Sequence, residues 1–150
     1  MNVDDFVIQP GFNITRASHV ELGVTDLQAS KAFYTEAIGL VASDESDTAV
    51  YLRGLEETCH HSLTLQKAAL PTCIRLGMRV LTEDDLDALV AHFESRQIPA
   101  SFAEKPFQGR TLQVSDGIGT PLEFCAAMDR QPRLLGLANS LRCWMQSNGR

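Results

Sequence analysis

The same pattern occurs twice along these 150 residues, and that duplication limits the chain to folds assembled from two like halves. One copy runs from Ser18-His19-Val20-Glu21-Leu22-Gly23-Val24 through a helical stretch ending at Gly39 to Ser62-Leu63-Thr64-Leu65. The other runs from Ile74-Arg75-Leu76-Gly77-Met78-Arg79-Val80 through a second helical stretch to Thr120-Pro121-Leu122-Glu123-Phe124. Matching positions of the two copies should face one another, so the residues standing there set what the space between them can hold.

Each copy has the same order of elements. In the first, Val20, Leu22 and Val24 alternate with His19, Glu21 and Gly23, the period of a strand. Thr25 and Gln28 have capping-box spacing. Leu27, Ser30, Phe33, Tyr34, Ala37 and Ile38 then form a helical stripe that places the Phe33-Tyr34 pair in a core, and Gly39 supplies a left-handed stop. Strands are expected at 40–43, 49–53 and 62–66. In the second copy a strand at 74–80 precedes a helix capped by Thr82 with Asp85, whose buried stripe is Leu86, Leu89, Val90 and Phe93. Pro99 marks its end, and strands are expected at 100–103, 111–115 and 122–126. Gly117 and Gly119 read as hairpin glycines.

Two copies of βαβββ make an α+β fold, with modules at about 16–67 and 73–127, an N-terminal arm at 1–15 and a tail at 128–150. A sheet covered by one helix leaves its other face to be buried or used. Two such sheets side by side give a half-open barrel with helices outside and a cleft inside. After residue 127 the repeat stops, and residues 134–145 read as a terminal helix in which Cys143 and Trp144 seek burial.

Bulk properties exclude several function classes. A chain of this length buries roughly 70% of the surface its unfolded form exposes, enough for a real core. A net charge of −6 without a basic stripe argues against nucleic acid, and no apolar run has the length of a membrane span. Asp4 and Asp5 stand where a signal peptide would be positive, so the cytoplasm is expected. Cys59, Cys73, Cys125 and Cys143 lie far apart and read as reduced thiols. There is no P-loop, G-x-G-x-x-G or nucleophile elbow.

The run His19-Val20-Glu21-Leu22-Gly23-Val24-Thr25-Asp26-Leu27, with Phe33-Tyr34 and Gly39-Leu40, resembles the opening strand and helix of the vicinal oxygen chelate superfamily, which includes glyoxalase I, bleomycin-resistance proteins and extradiol ring-cleaving dioxygenases. Val50-Tyr51-Leu52-Arg53-Gly54-Leu55-Glu56-Glu57 followed by His60-His61-Ser62-Leu63-Thr64-Leu65 is similar to the N-terminal domain of catechol and homoprotocatechuate 2,3-dioxygenases. Residues 116–124 look like that domain's closing hairpin, and the likeness covers about 16–135. It implies a longer enzyme whose Fe(II) or Mn(II) site lies in a C-terminal domain, with a catecholic small molecule as substrate and a homo-oligomeric assembly. On this reading the chain is a truncated product, catalytically silent alone, with no cofactor of its own.

By the superfamily pattern, His19 and Glu123 match two metal-ligand positions, while Arg75 and Thr64 fall on the others. A non-haem Fe(II) site needs two histidines and a carboxylate on one face. A dication ~4 Å from the Arg75 guanidinium would face about 8 kcal/mol of repulsion at an effective dielectric of about 20. The expectation is therefore a metal-free cleft in which Arg75 bridges Glu123, with Glu21 or His19 completing the hydrogen bonds. His60 and His61, read as strand neighbours, should point to opposite faces, one inward and one to solvent. His92 is expected on the surface. The competing reading is a stand-alone sequestering protein of the bleomycin-resistance type; a glyoxalase-like lyase would need a full ligand set.

Overall fold

A computed structural model of the chain describes residues 11–134, so the expected terminal helix with Cys143 and Trp144 lies outside the described residues. The elements are β1 (Ile14–Val24), α1 (Leu27–Ala32, continuing as a wider turn over Phe33–Ala37), β2 (Val41–Glu45), β3 (Ala49–Arg53), β4 (Leu63–Lys67), β5 (Thr72–Val80), α2 (Glu83–Ser95), β6 (Ala100–Lys105), β7 (Gly109–Ser115) and β8 (Pro121–Cys125). The strands form one eight-stranded sheet in the order β2-β3-β4-β1-β5-β8-β7-β6. The order is symmetric about the antiparallel β1–β5 seam, and on either side the first strand of each half runs parallel to its last. This is the α+β arrangement of paired βαβββ halves that the duplication predicts.

Period-two alternation divides the sheet's faces. Val50, Leu52, Leu63 and Leu65 make one core with Leu27 of α1. Val80, Leu112, Val114 and Phe124 make a second with Leu86 and Leu89 of α2. Leu86 and Leu89 are fully buried, and truncating either to alanine would cost about 2–5 kcal/mol. The intervening residues, among them His19, Glu21, Thr64, Arg75 and Glu123, fall on the opposite face, which no helix covers.

The second helix begins as its sequence predicts. Thr82 Oγ1 accepts from the Asp85 N–H at 3.2 Å, and Asp85 Oδ2 accepts from the Thr82 N–H at 2.8 Å. The first differs from expectation in two ways. Its cap is Asp26, which accepts from the Ala29 N–H at 2.9 Å, because a carboxylate one residue further on meets the free N–H groups better than the Thr25 hydroxyl. Its last turn then widens, with the Ile38 N–H reaching the Phe33 carbonyl five residues back. The extra residue in that turn rotates the stripe beyond it and Ile38 is more than half exposed; Phe33, still on the regular turn, is also more than half exposed, while Tyr34 keeps its place against the core. Gly39 does stop the helix, with φ of 89°.

Candidate functional site

Cross-strand register builds the uncovered face as rows. One row joins Tyr51, Thr64, Glu21 and Arg75 across β3, β4, β1 and β5. The next joins His19, Gly77, Glu123 and Gln113 across β1, β5, β8 and β7. Gly77 stands between His19 and Glu123, and having no side chain it lets the imidazole lie over its Cα. His19 Nε2 thereby comes within 2.7 Å of Glu123 Oε1.

Glu123 is the most enclosed charge of the cleft, 1% exposed. Its Oε1 also accepts from Gln108 Nε2 at 2.9 Å, and Gln108 in turn is held by Thr111 Oγ1 at 3.1 Å. Lys105 Nζ and Arg75 Nε each stand 3.8 Å from Oε2. Burial pushes the carboxyl's pKa up, but the bonds from His19 and Gln108 with the Lys105 charge outweigh it and hold the group at about 2. Glu123 is therefore ionised at neutral pH.

The expected ion pair takes a different shape. Of the two residues expected to complete the Arg75–Glu123 bonding, His19 bonds Glu123, whereas Glu21 is bound by Lys105, with Nζ 2.7 Å from Oε2. Lys105 ends the edge strand β6 and folds over the cleft mouth. Arg75, a quarter exposed at its side chain, lies at the rim and makes only the longer contact to Glu123. The cleft thus neutralises two carboxylates with two cations, while His19 and Gln108 both bond Glu123 Oε1 and leave Oε2 and His19 Nδ1 without a hydrogen-bond partner among the described residues.

His60 and His61 also differ from expectation: both are buried, at 3% and 2% exposure. Strand alternation does not govern them, since β4 begins at Leu63 and the two lie in the bend before it, where their Nδ1 atoms meet at 3.1 Å. His60 stacks on Phe107 at 3.7 Å between ring centroids, and His61 faces His19 and Tyr51. Burial, together with the nearby His19 and His60, pulls the His61 pKa down to about 3, so it is neutral at physiological pH. His92 is half-buried rather than on the surface, packed edge-on against Phe12.

The resulting cleft has a volume of about 290 Å³, with His19, Glu21, Tyr51, His61, Thr64 and Lys105 among the residues lining it. Sequence reading missed Gly77, Lys105 and Gln108 as parts of the cleft, and of His60 and His61 it expected only that one would point inward. Gly77 was legible, being two residues from Arg75 on one strand face; Lys105 and Gln108 lie around a turn whose path only the fold reveals.

A metal does not fit this donor set. The two matching ligands, His19 and Glu123, are bonded to each other; Thr64 offers a neutral hydroxyl, Arg75 a fixed positive charge, and the Lys105 ammonium reaches into the same space. Among the described residues no three His, Cys, Asp or Glu side chains gather as a metal-holding group.

Comparison with known proteins places the arrangement. Residues 16–121 match the family model described as Glyoxalase/Bleomycin resistance protein/Dioxygenase superfamily. Metapyrocatechase of Geobacillus stearothermophilus is 28% identical over 116 residues, covering 77% of this chain and 36% of the relative. Homoprotocatechuate 2,3-dioxygenase from Arthrobacter globiformis superposes with a TM-score of 0.81 at 28% identity, over 85% of this chain and 40% of that one. The Brevibacterium fuscum enzyme in complex with 3,4-dihydroxyphenylacetate gives 0.83 at 31% identity, over 88% and 42%. The chain therefore spans about two fifths or less of the length of these relatives. A family model covering most of the chain, the duplicated βαβββ sheet and the extradiol dioxygenase likeness agree: the chain belongs to the glyoxalase, bleomycin resistance protein and dioxygenase superfamily.

Proposed function

We propose that this chain is the metal-free N-terminal module of an extradiol ring-cleaving dioxygenase acting on catecholic aromatics, a scaffold for a metal-bearing module that carries the chemistry. The observation that carries this reading is the buried His19–Glu123 bond beneath Lys105 and Arg75: two of the superfamily's ligand positions are bonded to each other, under two cations that neutralise the carboxylate. The likeness to metapyrocatechase and to homoprotocatechuate 2,3-dioxygenase supports the substrate class. In the whole enzyme, Fe(II) or Mn(II) in the other module would supply O₂-dependent cleavage of the ring beside its two hydroxyls. What the present residues contribute is a rigid sheet whose cleft needs no ion to be electrostatically closed. The assembly is a homo-oligomer, and the compartment is the cytoplasm, in keeping with the free thiols of Cys59, Cys73 and Cys125.

A chimera tests this directly. Residues 16–127 are put in place of the matching stretch of the full-length Geobacillus metapyrocatechase, and the product is loaded with Fe(II) and given catechol. The reading expects the yellow ring-opened product from the chimera and none from the 150-residue chain alone. Turnover by the chain alone would contradict it.

One observation favours a second reading, a small-molecule sequestering protein: the cleft is open and has room for a ligand of modest size. Saturable calorimetric binding of a cationic drug-like compound, abolished by Glu21→Gln, would support that reading over the first.

A further inference from the structure

We infer that the chain carries a binding site for a small oxyanion, built from Arg16, Arg79 and Arg130 at the end of the sheet away from Arg75. Arg16 and Arg79 are direct cross-strand partners on the β1–β5 seam. Like charges placed opposite each other in a sheet are destabilising, so this pairing is costly to the fold without a counter-charge. A third guanidinium is brought to the same place by the backbone: Arg130 forms an isolated antiparallel bridge with Cys59, folding residues 128–130 against the loop that precedes β4. The three arginines, with Thr58, Cys59 and the buried Met128, line an open hollow of about 90 Å³, sized for a group of a few atoms.

No acid balances them within the described residues. Arg110 is paired with Glu83 and Asp87, and Arg75 approaches Glu123, but no carboxylate lies within 4.0 Å of Arg16, Arg79 or Arg130. Arg79 is steadied by one bond, from its Nη2 to the Ala126 carbonyl at 2.8 Å, which leaves its other N–H groups for a ligand. Guanidinium forks match the paired oxygens of a carboxylate or phosphate, and the Thr58 hydroxyl can add a donor. On a chain of net charge −6, three cations with no carboxylate partner among the described residues select an anion locally against the field of the whole molecule. The site is distinct from the cleft around Glu123 and stands whether or not the chain works as a dioxygenase module.

The shared chemistry is an oxyanion with at least two oxygens, from inorganic phosphate or from a carboxylated small molecule. Isothermal titration of the purified 150-residue chain with inorganic phosphate, and separately with acetate, at an ionic strength fixed with chloride, distinguishes the two. Saturable one-to-one binding of phosphate alone assigns the site to phosphate-bearing ligands; saturation by acetate as well extends it to carboxylates. Arg130→Gln and Arg16→Gln alter exposed side chains, so both variants should keep the wild-type circular dichroism, and each is expected to weaken binding about tenfold or more. Saturation by neither anion, or binding equally tight in both variants, overturns the inference.

Discussion

The ring of His19 occupies the space that any side chain at position 77 would need: a Cβ built on Gly77 would overlap three atoms of the imidazole. The two residues are cross-strand partners, and Glu123 lies next in the row. The cleft's central bond therefore depends on a missing methyl group. Gly77→Ala must push His19 aside, leaving Glu123 short of a donor, and is expected to cost about 2 kcal/mol or more. Urea unfolding, followed by circular dichroism, measures it. A loss below a few tenths would show that His19 is free to move.

Acid should lower the protein's stability through two groups whose pH ranges overlap. His61 titrates near 3 in the folded chain against an ordinary 6.5, so between those values the unfolded state binds a proton the native state refuses. Stability consequently falls as pH drops from about 6.5 towards 3, by up to about 1.4 kcal/mol per pH unit from this group. Replacing it, as His61→Gln, should flatten the stability profile by that slope, read from unfolding midpoints at successive pH values.

Glu123 acts lower on the scale. Its folded pKa of about 2 lies below the ordinary 4.5, so its contribution is fully present above 4.5 and is lost as pH falls towards 2. The size of that contribution is about 3 kcal/mol. In Glu123→Gln the part of the acid transition below pH 4.5 should shrink, and the protein should already be less stable at pH 7, where His19 has lost its charged partner.

Lys105 holds Glu21 and faces Glu123, so Lys105→Met strips two carboxylates of their nearest ammonium. The Lys105 side chain is 24% exposed, which tempers the loss to about 1–2 kcal/mol. Adding Glu21→Gln should recover part of it, because it removes the carboxylate that Lys105 holds most closely, while Glu123 keeps Arg75 and its bonds from His19 and Gln108. Thermal melts of the single and double variants decide this, and additive losses would count against the pairing.

Much of the architecture was legible because it rests on local periodicity. Alternation in β1 and β5 and the Thr82–Asp85 cap can be read from neighbouring residues, and the duplication converts them into a symmetric sheet. What failed depended on a single residue's displacement or on a long-range path. The widened turn after Phe33 moved Ile38 outward, and the bend before β4 brought both His60 and His61 inside. At the site, His19, Arg75 and Glu123 were implied by the resemblance to the superfamily pattern, and strand spacing put Glu21 on the face of His19. Their pairing was not legible, because Lys105 enters from the far edge of the sheet, 84 residues from its partner Glu21.

The central claim is that His19 and Glu123 are committed to each other beneath two fixed cations and leave no place for a metal. Equilibrium dialysis of the purified chain against Fe(II) under anaerobic conditions and against Mn(II), followed by metal analysis, tests it most directly. The account predicts no stoichiometric retention, and no change on replacing His19 or Glu123. One tightly held equivalent per chain, lost in His19→Ala and Glu123→Ala, would contradict it.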